Sequence, residues 1–215
     1  VYNAMIDTGL VPVFYHENPE VAWAVLEACA GAGVRVVQFT NRGDGAIEVF
    51  KQLQGRCCRE LPELILGVGS VVDPSTAALF IAHGANFVVG PSLSEEVARL
   101  CNRRKIAYSP GCGTPTEIAS AEELGCEIIK IFPGGQVGGP GFVKALRGPC
   151  PWTSLMPTGG VDCTQESVRG WFEAGVKCIG MGSRLVSRTR MDRGEFATIR
   201  GDAERVLGWI ADIRG

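Results

Sequence analysis

Short apolar runs rich in valine and isoleucine recur along the whole chain and alternate with longer amphipathic stretches. These runs show little strict alternation of apolar and polar residues, which is typical of parallel strands buried on both faces. Eight runs predict strands, at Leu10–Tyr15, Val34–Thr40, Leu64–Ser70, Phe87–Val89, Ile106–Ser109, Glu127–Phe132, Ser154–Pro157 and Val176–Met181. The pattern therefore predicts a series of βα units.

The stretches between these runs carry helix start and stop signals. Asn18 followed by Pro19 predicts the start of a helix over Pro19–Ala32. Later starts are predicted at Asp73, Ser94, Thr114 and either Asp162 or Thr164. A final amphipathic helix is predicted over Glu195–Ile213, covering an end or an outer face of the domain.

Helix stops that are followed at once by a strand occur four times, at Gly33, Gly84, Gly125 and Gly175. With eight strands and no linker, we predict one domain over residues 1–215, a (β/α)₈ TIM barrel with a C-terminal amphipathic helix. The alternative is an open doubly wound sheet, which more often has five or six strands.

Composition and charge argue against several kinds of binding partner and against metal or disulfide sites. The chain has 215 residues and a formal net charge of −2, which predicts neither a nucleic acid nor a membrane partner. No apolar run reaches the ~18 residues of a membrane span, and no signal-peptide pattern is seen at the start. Nine scattered cysteines and only two histidines argue against a metal site and a disulfide framework, so we expect buried thiols in a reducing cytoplasm.

Lys130 is the most informative single residue, because every neighbour within two positions is apolar. Burial disfavours the charged form of a lysine and lowers its pKa, and a neutral amine can form a Schiff base with a carbonyl compound. Glycine-rich chain follows at Gly134–Gly139. The alternative interpretation is an edge-strand lysine whose tip reaches solvent.

The chemistry of a βα barrel lies at the carboxyl ends of its strands. Strands seven and eight are followed by glycine-rich segments, in which Gly159, Gly160, Gly182 and Ser183 are candidates to bind a phosphate through backbone N–H groups. Arg42 follows strand two and is a candidate to bind a carboxylate. Together with Lys130, these residues predict a phosphorylated 2-oxo acid as ligand.

Several motifs together resemble one enzyme family. They include Thr40-Asn41-Arg42, Gly67-Val68-Gly69-Ser70, Lys130-Ile131-Phe132-Pro133, Pro157-Thr158-Gly159-Gly160-Val161 and Gly180-Met181-Gly182-Ser183. In this order they resemble the class I 2-keto-3-deoxy-6-phosphogluconate (KDPG) and 4-hydroxy-2-oxoglutarate (KHG) aldolases. The resemblance runs from about Gly9 to Val186 and implies a homotrimeric barrel that needs no cofactor and cleaves a 2-keto-3-deoxy-6-phospho sugar acid to pyruvate and glyceraldehyde 3-phosphate.

The resemblance also implies roles for individual residues. Lys130 falls on the Schiff-base lysine and Arg42 on the arginine that binds the pyruvate carboxylate. Ser70 replaces a threonine that contacts the same end of the substrate, and Gly159, Gly160 and Ser183 fall in the phosphate-binding segments. Further substrate contacts are expected at or beside strand ends, from Pro91, Phe132, Thr158 and Gly182.

One departure from the family pattern concerns acid–base chemistry. Gln38 stands where the family usually has a proton-shuttling glutamate, and an amide is no general base near neutral pH. Gln38 is therefore consistent with a weak aldolase, a binding protein, an engineered substitution or a base supplied elsewhere. His16 and Glu17 are the nearest candidates for a substitute, although they can equally serve only to lead into the helix at Asn18.

Three readings of function stay open at this stage. The first is KDPG aldolase, with the phosphogalactonate epimer as an alternative substrate. The second is a catalytically impaired protein that binds phosphorylated sugar acids. The third is another phosphate-binding barrel, such as an isomerase or a thiamin-phosphate-synthase-like enzyme, which would need a carboxylate base or a magnesium cluster. Only Glu17 and Asp162 are carboxylates at predicted strand ends, which disfavours the third reading.

Overall fold

The apolar runs form nine short strand segments in a computed structural model that describes residues 1–215. All paired neighbours are parallel. The segments are β1 (Leu10–Phe14), β2 (Val36–Thr40), β3 (Ile65–Gly69), β4 (Phe87–Val89), β5 (Ala107–Ser109), β6 (Gly111–Cys112), β7 (Ile129–Ile131), β8 (Leu155–Pro157) and β9 (Ile179–Met181).

Ten helices surround the strands. They are α1 (Tyr2–Thr8), α2 (Pro19–Gly31), α3 (Ala46–Glu60), α4 (Pro74–Ala82), α5 (Glu95–Arg104), α6 (Pro115–Glu123), α7 (Gly139–Arg147), α8 (Gln165–Ala174), α9 (Arg188–Asp192) and α10 (Phe196–Arg214). None of them is both long enough and apolar enough to cross a bilayer.

The predicted helix starts are confirmed where a side-chain cap marks them. The side chains of Asn18, Asp73, Ser94 and Thr114 accept hydrogen bonds from backbone N–H groups in the first turns of α2, α4, α5 and α6. Of the two candidates before α8, Thr164 is the cap. A side-chain cap satisfies N–H groups that the helix itself leaves unpaired, which makes such starts readable from sequence.

Four helices lack a predicted start signal. α3 and α7 begin after Gly45 and Gly138, and neither glycine offers a side-chain cap. The short helices α1 and α9 lie at the two ends of the repeat, outside the regular alternation of strand and helix. α1 has no side-chain cap, whereas the Ser187 hydroxyl accepts a hydrogen bond from the Arg190 N–H at the start of α9.

The strands form two sheets, which corrects the prediction of one eight-stranded sheet. The larger sheet has the order β5-β4-β3-β2-β1-β9, and the smaller has the order β6-β7-β8. The predicted fifth strand, Ile106–Ser109, corresponds to β5, and the unpredicted segment β6 follows it after Pro110, which has no backbone N–H to donate to a neighbour. The sheet curls, so that an isolated parallel bridge joins Thr158 after β8 to Gly180 in β9.

Two buried clusters account for the core. The larger one, of 52 residues, lies between strands and helices. The smaller one has nine residues and includes Val11, Val36, Phe87 and Met156, which come from strands of both sheets. Met5 of α1 belongs to the same small cluster. The two sheets therefore share one interior layer of side chains, and α1 contributes to it.

A buried carboxylate connects the final helix to the segment that follows β9. Asp202 of α10 is 5% exposed, and it accepts hydrogen bonds from Arg190 at 2.7 Å and from Arg205. Arg190 also donates to the carbonyl oxygen of Leu185. α10 thereby holds the segment that follows β9, whose first residues contribute to the candidate site.

We expect Asp202→Asn to lower the free energy of unfolding by about 1 to 3 kcal/mol, because it leaves a partly buried arginine without its counter-charge. Urea unfolding followed by circular dichroism measures this change. Glu204→Gln on the same helix is the matched control, since Glu204 pairs with Arg200 in solvent and surface pairs contribute less than about 1 kcal/mol. Equal effects of the two substitutions would contradict the assignment.

Candidate active site

A cavity of about 440 Å³ opens at the carboxyl ends of β1, β8 and β9. Its lining combines aromatic side chains, glycine backbone and three arginines: Val13, Phe14, Tyr15, Arg42, Phe132, Thr158, Gly159, Gly160, Val161, Gly182, Ser183, Arg184, Val186, Arg188 and Met191. A larger hollow of about 570 Å³ lies between α2 and α3 on the outer face. We take the smaller cavity as the site, because the strand ends and their unpaired polar groups converge there.

Lys130 lies at the centre of β7, between two fully buried isoleucines. The residue is 5% exposed and forms no salt bridge. Its Nζ donates one long hydrogen bond, of 3.5 Å, to the carbonyl oxygen of Gly90. The same atom lies 4.2 Å from the ring centre of Phe132, which lines the cavity. Lys130 is therefore an interior lysine beside the cavity, and the edge-strand alternative is wrong.

Burial and, to a smaller extent, the positive charge of Arg42 together lower the pKa of Lys130 to about 8. Hydrophobic surroundings disfavour the ammonium form, and no carboxylate compensates for it. With this pKa, Lys130 is neutral in roughly a tenth of the molecules at pH 7. An ordinary lysine is neutral in only about one molecule in several thousand. The amine is thus available as a nucleophile near neutral pH.

Arg42 and Ser70 meet at one side of the cavity. Arg42 is exposed in the loop after β2, and its Nε donates to the Ser70 hydroxyl at 3.4 Å. Ser70 has a φ of 61°, in the left-handed region that few residues other than glycine adopt. Such strain costs about 1 to 3 kcal/mol and is common at functional sites. The guanidinium keeps its two terminal nitrogens available for a carboxylate.

Gln38 is buried in the sheet and 2% exposed. Its amide lies directly over Gly69, where a Cβ atom would come within 1.8 Å of the amide nitrogen. Glycine at position 69 is therefore required by the side chain on the neighbouring strand. The Oε1 atom of Gln38 has no hydrogen-bond partner in the protein. A buried acceptor without a partner is costly, which indicates that this atom binds a group the protein does not itself supply.

The two glycine-rich segments form a second polar region. Gly159 and Gly160 have φ values of 81° and 78°, and their N–H groups make no hydrogen bond within the protein. The N–H groups of Gly182 and Ser183 are likewise unpaired. The Thr158 side chain, packed against Gly180, has a buried hydroxyl without a partner. Unpaired N–H groups facing a cavity form a site for an anion.

His16 and Glu17 are occupied by structural contacts. His16 is 4% exposed, its Nδ1 accepts from the Asn18 N–H at 3.0 Å, and its Nε2 lies 3.1 Å from Asp192. Glu17 pairs with Arg188, which lowers the pKa of Glu17 to about 2. Neither residue is placed to replace a missing catalytic base, so their role is to join the end of β1 to α9.

The predicted site residues fall into three groups. Seven line the cavity: Arg42, Phe132, Thr158, Gly159, Gly160, Gly182 and Ser183. Lys130, Gln38 and Ser70 lie beside that lining, at the positions already described. Pro91 does not line the cavity; it follows Gly90, and its carbonyl oxygen packs against Gly111.

Sequence reasoning missed several residues of the cavity. Tyr15 comes directly after β1 and Arg184 directly after Ser183, so the rule that strand ends form the site was sufficient to find both. Arg188 and Met191 belong to α9, whose start is marked only by Ser187, the residue that caps it. They reach the cavity only because α9 folds back over it.

Comparison with known proteins agrees with this geometry. The family model "KDPG and KHG aldolase" matches residues 1–201. The KHG/KDPG aldolase of Escherichia coli K12 is 30% identical over 198 residues, covering 91% of this chain and 90% of that protein. The 2-dehydro-3-deoxy-phosphogluconate aldolase of Pseudomonas aeruginosa is 29% identical, with 98% and 96% covered.

A solved structure of KDPG aldolase from Legionella pneumophila superposes with a TM-score of 0.86 at 25% identity, covering 94% of this chain and 96% of that one. That protein carries pyruvate captured as a covalent carbinolamine. From the family match and the relatives of about 30% identity, we conclude that this chain belongs to the KDPG and KHG aldolase family of lyases.

Proposed function

We propose that this chain is a class I aldolase that cleaves 2-keto-3-deoxy-6-phosphogluconate to pyruvate and glyceraldehyde 3-phosphate through a Schiff base on Lys130. One observation carries the proposal: a buried lysine with a pKa of about 8 lies beside a cavity that has an arginine on one side and unpaired N–H groups on the other. These are complementary to the carbonyl, the carboxylate and the phosphate of such a substrate.

Substrate binding sets the geometry of the attack. Arg42 binds the C1 carboxylate, and the N–H groups of Gly159, Gly160, Gly182 and Ser183 bind the phosphate on C6. The lone pair of neutral Lys130 forms a bond to C2, and the carbonyl oxygen takes up a proton to give a carbinolamine. Loss of water from C2 leaves a protonated imine.

The imine then accepts the electrons of the bond that breaks. The C4 hydroxyl loses its proton, the C3–C4 bond breaks, and glyceraldehyde 3-phosphate leaves with a new carbonyl at C4. The electron pair of that bond becomes the C2=C3 double bond of an enamine, and the electrons of the C2=N bond return to the Lys130 nitrogen as a lone pair. Protonation of C3 and addition of water at C2 release pyruvate and restore the free amine.

Proton transfer is the step in which Gln38 departs from the family. An amide has no titratable proton, but its buried Oε1 can accept a hydrogen bond from a water molecule or from the carbinolamine hydroxyl. The buried Thr158 hydroxyl can both donate and accept. In our proposal, a water molecule bound between these groups carries the protons that a glutamate carries elsewhere in the family.

The relatives support the covalent step. The Legionella pneumophila enzyme was captured with pyruvate as a covalent carbinolamine, which is the first intermediate in this scheme. That an amine of the present chain forms the same adduct is our proposal, and Lys130 is the buried lysine with a lowered pKa beside the cavity.

We further propose that the two sheets form one closed (β/α)₈ barrel. Support comes from Pro110, which joins β5 and β6 as consecutive parts of one run, and from the bridge between Thr158 and Gly180. A backbone hydrogen bond from Lys177 to Leu155 also links the last two strand regions.

We propose a homotrimer, as the family resemblance implies, and its mass in solution tests this.

A second function is favoured by one specific observation. Because Gln38 lacks a proton to transfer, the chain is also consistent with a protein that binds phosphorylated sugar acids and turns them over poorly. Loss of a general base typically lowers a rate by about 10² to 10⁴. Binding of substrate without cleavage separates this function from the first.

Trapping with pyruvate tests the covalent step. We expect sodium borohydride to fix pyruvate on Lys130, because reduction converts the imine into a stable amine, and peptide mass spectrometry locates the adduct. Lys130→Met removes the nucleophile and is expected to abolish the adduct. Lys144→Met, which changes an exposed lysine of α7, is the control. An adduct on another lysine, or none, would refute the mechanism.

The pH dependence of kcat/KM tests the lowered pKa of Lys130. Activity needs the neutral amine, so kcat/KM is expected to rise with pH through a midpoint near 8 and to level off above it. A profile measured with 4-hydroxy-2-oxoglutarate is the control, since it removes the titration of the substrate phosphate. A flat profile between about pH 6 and 9, or a midpoint above about 10, contradicts this prediction.

Gln38→Glu restores a titratable group at the position where the family has one. We expect kcat for cleavage to rise by about 10- to 1000-fold. Gln52→Glu makes the same chemical change on the exposed face of α3 and is the matched control.

Steady-state cleavage of KDPG and of its phosphogalactonate epimer is measured for the unchanged protein, for Gln38→Glu and for Gln52→Glu. Fast turnover by the Gln38 form, with no gain from glutamate, would exclude the impaired-binder reading. Ligand binding without cleavage by either form would exclude the aldolase.

A further inference from the structure

Three arginines line the cavity, and they differ in how their guanidinium groups are engaged. Arg42 donates through Nε to Ser70. Arg188 and Arg184 both lie after β9, and each contacts carboxylates. The number of donors that remain free decides which of these two arginines can bind a ligand.

Arg188 has no free edge. Its two terminal nitrogens donate to the two carboxylate oxygens of Glu17, and its Nε donates to both oxygens of Asp192 at 3.0 Å. Two carboxylates therefore surround one guanidinium, and the group cannot present a pair of donors to an anion. We assign Arg188 to the wall of the cavity, where it connects α9 to the end of β1.

Arg184 is engaged at one atom only. Its Nε lies 2.8 Å from an Asp162 oxygen, and its two terminal nitrogens have no partner in the protein. The side chain is 71% exposed and lines the cavity. A guanidinium that is ion-paired near Nε and donates no hydrogen bond from its two terminal nitrogens can bind an anion with two parallel hydrogen bonds.

The Arg184–Asp162 pair joins the two glycine-rich segments. Arg184 directly follows Ser183, and Asp162 lies two residues after Gly160. The unpaired N–H groups of Gly159 and Gly160 shortly precede Asp162, and those of Gly182 and Ser183 directly precede Arg184. The four residues and Arg184 line the cavity, whereas Asp162 does not. The free nitrogens of Arg184 are therefore next to the region that the proposed function gives to the phosphate.

We propose that Arg184, oriented by Asp162, binds the distal anionic group of the substrate and favours a dianionic phosphate over a carboxylate or a hydroxyl at that end. This inference rests on the proposed function and adds a residue that determines substrate preference. Backbone N–H groups carry only partial charge, whereas a guanidinium carries a full one. Its attraction grows with the charge of the ligand, so a dianion gains more than a monoanion.

Arg184→Gln removes the charge and keeps a polar side chain. With the 6-phosphorylated substrate we expect KM to rise about 10- to 100-fold while kcat changes less than about threefold, because the lost contact lies far from the reacting carbons. With 2-keto-3-deoxygluconate, which has a neutral hydroxyl at that end, both constants are expected to stay unchanged.

Two further variants separate a binding role from a merely structural one. Asp162→Asn keeps the guanidinium and removes its orienting carboxylate, so KM for the phosphorylated substrate is expected to rise only about 3- to 10-fold. Arg169→Gln is the matched control, because Arg169 is an exposed arginine on α8 with one carboxylate partner, Glu173, and it does not line the cavity.

The outcomes distinguish this inference from the proposed function. Equal losses with both substrates, or no loss with either, would overturn the role of Arg184. If the unchanged protein traps pyruvate on Lys130 in that case, the aldolase mechanism stands without this residue.

If the unchanged protein neither traps pyruvate nor cleaves substrate, the proposed function fails. Calorimetric titration with inorganic phosphate then decides the inference on its own. Weaker binding by Arg184→Gln than by Arg169→Gln supports the inference, and equal binding overturns it.

Discussion

The burial of a single amine shapes the chemistry of this protein. Lys130 lies in β7 with only the Gly90 carbonyl oxygen as a hydrogen-bond partner and the Phe132 ring against its Nζ. The cost of keeping that amine charged in an apolar interior lowers its pKa to about 8. A carboxylate beside Lys130 would stabilise the ammonium form and raise the pKa again, so the absence of a salt bridge to this lysine is part of how the site works.

Two buried polar side chains of the candidate site fit only because the residue that each packs against is a glycine. The Gln38 amide occupies the space that a side chain at position 69 would need. The Thr158 hydroxyl likewise occupies the space beside Gly180. Both polar side chains are buried, and each has an atom without a partner in the protein. Such atoms lower stability, and their retention beside a nucleophile is the expected trade between stability and function.

In the proposed function, Gln38 affects substrate binding and proton transfer differently. In that proposal, Arg42 and the glycine-rich segments bind the carboxylate and the phosphate, and neither contact involves position 38. Proton transfer during bond cleavage does depend on that residue, because an amide can orient a water molecule but cannot take up its proton. Binding and formation of the covalent adduct are therefore less sensitive to Gln38 than the cleavage step.

Sequence alone determined the βα repeat, the capped starts of α2, α4, α5 and α6, and the apolar surroundings of Lys130, because these depend on local hydrophobic pattern and side-chain caps. It did not predict α3, α7 or β6, since those depend on packing and pairing between distant segments. Likewise, the sequence does not show how the guanidinium groups of the three cavity arginines differ in their partners, and the tertiary structure does. Arg188 is occupied by Glu17, which is 171 residues away, whereas Arg184 keeps two donors free. Which donors remain available is decided by contacts between residues far apart in the chain, and only the tertiary structure fixes them.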